Sequence, residues 1–275
     1  AACFAPGEPL PEALLLAAGE RATASGGEPP AAHRLDDGLE RLLELGLLEA
    51  AGADAVRLHR LLARFAAAAL AEEMPAAQEA VESAVISLAY QQNTADDPSA
   101  LRPWEAHLRH VAGAAGARED HTAAILQANF GHYLDISGDL AGARPYYERA
   151  LAISELVLGP EHPDTALSLN NLGNLLRAQG DLAGARPYLE RALAIWERVL
   201  GPEHRDTAGS LNNLGLLLQA QGDLAGARPY LERALAIRER VLGPEHPDTA
   251  QSLNNLASLL QDQGDLAGAR PLYER

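Results

Sequence analysis

"TALSLNNLGNLLRAQGDLAGARPYLERALAIWERVLGPEHRD" occupies residues 165–206, and the next 42 residues repeat it with five changes. The changed pairs are Leu167/Gly209, Asn174/Leu216, Arg177/Gln219, Trp196/Arg238 and Arg205/Pro247. A more diverged first copy begins at Ala123, and a shorter fourth copy begins at Thr249. A fixed period of this size indicates a protein built from stacked repeats. The glycines that open each "GDLAGARP" stretch mark the register: Gly138, Gly180, Gly222 and Gly264.

Each copy carries the signals of a helix, a turn and a second helix. Leucines recur at helical spacing on both sides of Gly180, which is expected to end the first helix. Asp164 and Asp181 are the predicted N-caps of the two helices. Pro187 lies beyond the first turn of the second helix, so a slight bend is expected there. Because neither helix can bury its apolar stripe alone, the copies are predicted to stack.

Residues 123–275 resemble tetratricopeptide repeats of the 42-residue kind seen in kinesin light chains. The matching features are the "LNNLG" opening, the small residues Gly173 and Ala185, and the "ARPYLERALAI" and "VLGPEHPDT" runs. The resemblance implies a mainly α fold, with a right-handed α–α superhelix over residues 121–275. It also implies that the first helices line a concave groove, which takes a protein or peptide partner.

Two adjacent asparagines interrupt the first helix of each copy, although asparagine is a mediocre helix former. By resemblance, Asn171 faces the groove and Asn170 lies nearer its edge. One interpretation is contact with the main chain of a peptide, because an amide both donates and accepts hydrogen bonds. The alternatives are bonding to the backbone of a neighbouring helix, and retention after recent duplication. The predicted groove residues are Asn129, His132, Asn170, Asn171, Asn174, Arg177, Asn212, Asn213, Gln219, Asn254, Asn255, Ser258 and Gln261.

Composition limits the chemistry that this chain supports. The net charge is −16 and all 22 basic residues are arginine, which excludes a P-loop lysine and disfavours nucleic acid as a partner. Cys3 is the only cysteine, so no disulfide framework or thiolate metal site is expected. His162, His204 and His246 recur once per copy and are predicted to be loop residues rather than metal ligands. Without a membrane-spanning run or a signal peptide, we expect a cytoplasmic protein with no catalytic activity of its own.

Residues 1–75 contain no repeat and have the layout of a winged-helix domain. "LDDGLERLLELG" at residues 35–46 predicts an amphipathic helix, "LLEA" and "AVRLH" predict a hairpin, and "RLLARFAAAAL" predicts another helix. Residues 1–72 contain 6 arginines and 11 acidic residues, a net charge of −5, so DNA binding is not expected. Residues 76–120 are predicted to form a helical linker, a helix pair that caps the first repeat.

This N-terminal segment, followed by repeats, resembles the winged-helix part of NB-ARC-type STAND ATPases. "CFAPGEPLPEALL", "LDDGLERLLELGLLE" and "VRLHRLLARFA" carry the resemblance. It implies that His59 senses the ADP β-phosphate in a longer parent protein. The upstream nucleotide-binding domain of that protein would hold ADP or ATP with Mg²⁺, whereas this chain would hold no cofactor. Arg60 departs from the acidic residue usual in that family, and the alternative for His59 is a histidine that satisfies a helix end.

Taken together, the two resemblances imply the repeat-sensor fragment of a STAND signalling ATPase, with oligomerisation on activation as a further expectation. Both termini of the sequence look cut from a longer polypeptide. Two alternatives stay open at this stage. The chain could be a free-standing adaptor of the kinesin-light-chain type, or a transcription regulator that uses its winged helix.

Overall fold

The computed structural model describes residues 3–5, 7–11, 14, 15, 18, 42, 48–51, 55–58, 63, 74–93 and 102–275. The chain divides into two compact units, Ala1–Ala150 and Leu151–Arg275. The part of the chain that the structure describes is mainly helical. None of its helices is both long enough and apolar enough to cross a lipid bilayer.

In the first unit, three short strands form an antiparallel sheet. They are β1 (Leu10–Pro11), β2 (Leu48–Ala50) and β3 (Ala55–Leu58), in the order β1–β3–β2. Strands β2 and β3 pair over residues 48–50 and 56–58, which confirms the predicted hairpin. The helices expected near residues 35–46 and 60–70 fall largely outside the described residues. The winged-helix assignment therefore stays a prediction.

Two helices of the first unit, α1 (Met74–Asn93) and α2 (Glu105–Ala115), both contact α3 (His121–Ile136). Two helices therefore occupy most of the predicted linker, residues 76–120, and its role as a cap of the repeats stays a prediction. Glu82 of α1 is buried and accepts two hydrogen bonds from Arg118, at 2.6 and 2.7 Å. Arg118 also bonds Asp120, the residue that caps α3. A buried carboxylate held by both arms of a guanidinium therefore ties α1 to the start of α3.

His107 holds the N-terminal segment of the chain against α2. Its Nδ1 accepts a hydrogen bond from Ala5 N–H at 3.2 Å, and its Nε2 donates to Pro9 O at 2.7 Å. This pattern requires a neutral ring. The ring is 1% exposed and packs edge-on against Phe4, with the ring centroids 5.7 Å apart. Burial, the largest influence, lowers the pKa of His107 and so favours this neutral form.

Helix α4 (Leu140–Val157) runs across the boundary between the units. The second unit then contains α5 (Pro163–Ala178), α6 (Leu182–Val199), α7 (Arg205–Ala220), α8 (Leu224–Val241), α9 (Pro247–Asp262) and α10 (Leu266–Tyr273). The helices pair as α5/α6, α7/α8 and α9/α10, and α6 contacts α7 as α8 contacts α9. The predicted stack of helical hairpins is thus confirmed within this unit. The handedness of a superhelix stays a prediction.

The turn inside each hairpin follows the sequence signals closely. Gly180 has a φ of +83°, a left-handed conformation that ends α5 and that other residues rarely adopt. Asp181 then accepts a hydrogen bond from Gly184 N–H at 2.9 Å, which confirms it as the N-cap of α6. Pro187 lies inside the continuous helix α6, and the slight bend expected there remains a prediction.

The two helices of a hairpin approach closely where small residues face each other. Ala185 is fully buried, and a Cβ added to Gly173 would lie 2.7 Å from Cγ and Cδ2 of Leu189. A Cβ added to Gly215 would likewise lie 2.7 Å from Cγ and Cδ2 of Leu231. Glycine is therefore favoured at these two positions, because a larger residue would force the buried leucine of the second helix to move.

Successive second helices are linked by arginine–glutamate pairs 36 residues apart. Arg233 Nη1 donates to Glu197 at 2.6 Å and its Nη2 donates to Pro202 O at 3.2 Å. Arg191 repeats both contacts, with Glu155 at 2.5 Å and Pro160 O at 3.1 Å. The side chains are partly exposed, so each pair adds only about 0.2–1 kcal/mol of stability. The same contact thus recurs between neighbouring copies.

Candidate functional site

The first helices of the second unit begin at histidines. His162 has an extended backbone (φ −78°, ψ 144°), and its Nδ1 accepts a hydrogen bond from Asp164 N–H at 3.1 Å. His204 and His246 cap α7 and α9 in the same way. The prediction that Asp164 is the N-cap is therefore wrong, because the imidazole already takes the backbone donor. Asp164 lies in the first turn instead, where its carboxylate faces the positive end of the helix dipole.

These caps also give the three repeated histidines a role that sequence reasoning missed. They lie outside the helices, as predicted for loop residues, and each also caps the helix that follows it. An Nδ1 that accepts a backbone hydrogen bond has no lone pair left for a metal ion. Within the described ranges, no group of three or more His, Cys, Asp or Glu side chains gathers where it could hold a metal. The proline after His162, in the first helical position, was the available signal.

The twin asparagines bond to each other between neighbouring copies. Asn213 Nδ2 donates to Asn170 Oδ1 at 2.9 Å, and Asn255 Nδ2 donates to Asn212 Oδ1 at 2.9 Å. The second amide of one copy thus meets the first amide of the copy before it. This contact favours a structural role for the asparagines. The structural interpretation of the sequence expected a bond to the backbone of a neighbouring helix, whereas the observed partner is another asparagine side chain. Each amide retains a further donor or acceptor, so ligand contact by these residues stays a prediction.

The remaining predicted groove residues differ in what they touch. Gln219 donates to Asp262 at 2.6 Å and lies 3.5 Å from Ser258 Oγ, so it too links two copies. Gln261 accepts a hydrogen bond from Tyr273 OH at 3.4 Å. Asn171, Asn174 and Arg177 on α5 are half-buried, Asn254 on α9 is exposed, and Asn129 and His132 lie half-buried on α3 in the first unit. His59 lies outside the described residues.

A cleft of about 270 Å³ opens on the same face of the second unit. Leu167 and Asn170 of α5 line it together with Gly209 and Asn213 of α7, so one of the asparagine pairs forms part of its wall. Trp196 of α6 also contributes. The cleft therefore combines an apolar wall with amide groups, as small binding sites do.

Charged groups of both signs surround this cleft. Asp164, Asp206 and Asp248 line it, and so do Arg205 and Arg238. The Arg205 guanidinium is 58% exposed and lies 3.9 Å from the carboxylates of Asp206 and Asp248. At that distance and exposure the pairing is weak, so Arg205 is loosely held.

Arg238 is the unusual member of this set, because it is a cation that is only 8% exposed. Its Nη1 donates to the backbone oxygen of Asp248 and to Ser252 Oγ, both at 2.8 Å. In the part of the chain that the structure describes, no carboxylate forms a close ion pair with Arg238, although the negative charge of Asp248 acts on it from a longer distance. Burial, the largest influence, lowers the pKa of Arg238. The guanidinium nevertheless remains charged at neutral pH, because arginine is not deprotonated in proteins.

The preceding copies carry different residues at the Arg238 position. In the first copy Ser154 Oγ lies 3.2 Å from Ser168 Oγ. In the second copy the matching residues are Trp196 and Ser210, and the buried Ser210 Oγ has no hydrogen-bond partner within the described residues. Indole supplies no acceptor. The position is therefore polar, aromatic and cationic in successive copies.

Comparisons with known proteins agree with this architecture. The family model of the tetratricopeptide repeat matches residues 121–198, 164–239 and 206–275, more than half of the chain. A crystal structure of a candidate kinesin light chain with nearly identical tetratricopeptide-like repeats, from Podosopora anserina, is 27% identical, with a TM-score of 0.54, over 70% of this chain and 91% of that chain.

A second solved structure, that of BtubC (BKLC) from P. vanneervenii, aligns over more of the sequence. It is 25% identical, with a TM-score of 0.61, and the alignment covers 90% of this chain and 89% of that chain. The alignment therefore reaches beyond the repeats into the first unit. A comparison with curated protein sequences gives no match.

Proposed function

Because this chain belongs to the tetratricopeptide repeat family, we propose that it is a non-catalytic scaffold that binds a protein or peptide along its first helices. The observation that carries the proposal is the shared face of α5 and α7. There the amides of Asn170 and Asn213 and the cleft beside them offer hydrogen-bonding groups next to apolar surface. Such a surface suits an extended polypeptide, whose main chain both donates and accepts.

The experiment selects binders from a displayed library of random 12-residue peptides, using the full chain as bait. Two double variants then separate ligand contact from stacking. Asn213→Ala with Asn255→Ala and Asn170→Ala with Asn212→Ala break the same two inter-copy hydrogen bonds. The first variant removes the amides expected to face the groove, and the second removes the amides expected to lie nearer its edge.

The proposal predicts that selected peptides lose affinity for the Asn213/Asn255 variant, while the Asn170/Asn212 variant keeps more of it. Equal binding by both variants, together with equally lowered melting temperatures, would leave the amides with a structural role only. Failure to select any peptide that binds the intact chain would contradict the scaffold proposal itself.

A finer proposal is that this scaffold controls an ATPase domain of the STAND type, which lies upstream in the same polypeptide. In that arrangement His59 lies next to the nucleotide bound by the ATPase domain. The three-stranded sheet order β1–β3–β2 supports this reading, since a winged helix carries such a sheet. The sequence resemblance of residues 3–15, 35–49 and 56–66 supports it as well. Because the proposed phosphate loop lies upstream of this chain, calorimetry with ADP should show no binding. Micromolar affinity for ADP would contradict that assignment.

A free-standing adaptor of the kinesin-light-chain type is the second candidate. The observation that favours it is the alignment with BtubC, which covers 90% of this chain and so includes part of the first unit. The gene sequence upstream of Ala1 distinguishes the two settings. A P-loop motif there supports the ATPase setting, and its absence supports the adaptor.

A further inference from the structure

The two nearly identical copies differ mainly around one cleft. Of the five changed pairs, Leu167/Gly209 and Trp196/Arg238 line it with both of their residues, and Arg205 lines it from a third pair. The positions that hold the stack together, such as the glycine, asparagine and arginine–glutamate contacts, are the same in both copies. Three of the five differences between these two copies therefore involve residues that line the cleft.

Arg238 indicates which kind of chemical group the cleft could bind. A buried cation is normally paired with a carboxylate, because removing a charge from water without a partner is costly. Arg238 is 8% exposed, and its only hydrogen-bond acceptors in the described residues are a backbone oxygen and a serine hydroxyl, both reached by Nη1. Its Nε and Nη2 groups keep donors that a carboxylate from outside could engage.

We propose that this cleft binds a single acidic side chain of the polypeptide partner, with its carboxylate at Arg238 and Arg205. The inference rests on the proposed function, since the guest residue belongs to a chain bound along the first helices. Trp196 and Leu167 offer the apolar wall against which the methylene groups of the guest pack.

The surrounding carboxylates narrow the choice of partner further. Asp164, Asp206 and Asp248 line the same cleft, so additional acidic residues in the guest would meet like charge. The net charge of −16 acts in the same direction at longer range. The partner that fits has one aspartate or glutamate between neutral or basic residues, rather than an acidic run.

The test uses the displayed 12-residue library on the intact chain and on two variants. Arg238→Gln removes the charge but keeps a donor for Ser252, and Arg240→Gln removes an exposed arginine of the same helix. Both variants are first checked for folding by thermal melting. Peptides selected by the intact chain and by Arg240→Gln should be enriched in one acidic residue at a fixed position, and the enrichment should vanish with Arg238→Gln.

A second measurement uses the peptide rather than the protein as the variable. Trp104→Phe leaves Trp196 as the only tryptophan, so its fluorescence reports on the cleft. A selected peptide should change this fluorescence. Its Asp→Asn or Glu→Gln version should bind about tenfold more weakly or worse, because a charge-assisted hydrogen bond is lost.

The experiments distinguish failure of the carboxylate site from failure of the scaffold proposal. Peptides that bind without acidic enrichment, or whose amide versions bind equally well, overturn the carboxylate site and leave the scaffold standing. Absence of any binding peptide overturns both, because the guest residue needs a bound chain to carry it.

Discussion

Substitution of Gly173 by alanine tests the packing of the hairpin directly. The added Cβ would lie 2.7 Å from two carbons of Leu189, which is fully buried. Carbon atoms normally approach to about 3.5–4.0 Å, so the helices or the leucine must move by about 1 Å. Overpacking of this kind costs about 1–3 kcal/mol, and the better helix propensity of alanine returns about 0.5–1 kcal/mol. The expected net loss is therefore between about 0 and about 2.5 kcal/mol, with the middle of the range at about 1 kcal/mol.

Gly209→Ala is the matched control in the neighbouring copy. Its Cβ would meet only Arg238 Nη2, at 4.0 Å, so the propensity gain should stand alone and stabilise the chain by about 0.5–1 kcal/mol. Urea denaturation followed by circular dichroism gives the free energy of unfolding of each variant. A Gly173→Ala protein that is as stable as the Gly209→Ala protein would refute the close-approach argument.

Three further predictions concern caps, amides and pH. Asp181→Ala removes the N-cap of α6 and should cost about 1 kcal/mol in urea denaturation, more than Asp164→Ala, which removes no cap. Asn213→Ala breaks the bond to Asn170 and should lower the unfolding free energy by about 0.5–1.5 kcal/mol, measured by thermal or urea melting. The pKa of His107 is lower in the folded chain than in the unfolded chain. As the pH falls, His107 therefore becomes protonated in the unfolded chain first, near pH 6.5. Stability should therefore fall as the pH drops below about 6.5, and less so in His107→Gln.

For each of these three predictions, one experimental result would contradict the reasoning. Equal losses for Asp164→Ala and Asp181→Ala would mean that the carboxylate of Asp164 matters as much as a cap. An unchanged melting temperature for Asn213→Ala would make the amide pair incidental. A pH dependence of unfolding that His107→Gln leaves unchanged would place the titrating group elsewhere.

The hairpin architecture was predictable because its signals are local. Period, apolar spacing, Gly180 and Asp181 all act within one copy, and each determines the backbone within a few residues of itself. The N-cap of α5 shows the limit of this reasoning. Histidine and aspartate both offer an acceptor, and the choice depends on where the backbone of His162 enters the helix, which no propensity encodes.

Contacts between copies were not predictable from the same patterns. The asparagine pairs join residues 43 positions apart and the arginine–glutamate pairs join residues 36 apart. A repeat shows which residue types recur, but not which copy supplies the partner. Arg238 is the sharpest example: the sequence shows that it replaces tryptophan, and only the packing shows that it is a buried cation.

The most direct test of the account is a nuclear magnetic resonance titration of the full, ¹⁵N-labelled chain with a selected 12-residue peptide. Side-chain amide signals report individually on Asn170, Asn171, Asn213 and Asn255, and arginine Nε signals report on Arg238 and on Arg228, which lies exposed on α8. The account predicts that the asparagine and Arg238 signals shift while the Arg228 signal stays unchanged. Shifts concentrated on Arg228 and the other exposed arginines of the second helices would contradict binding along the first helices.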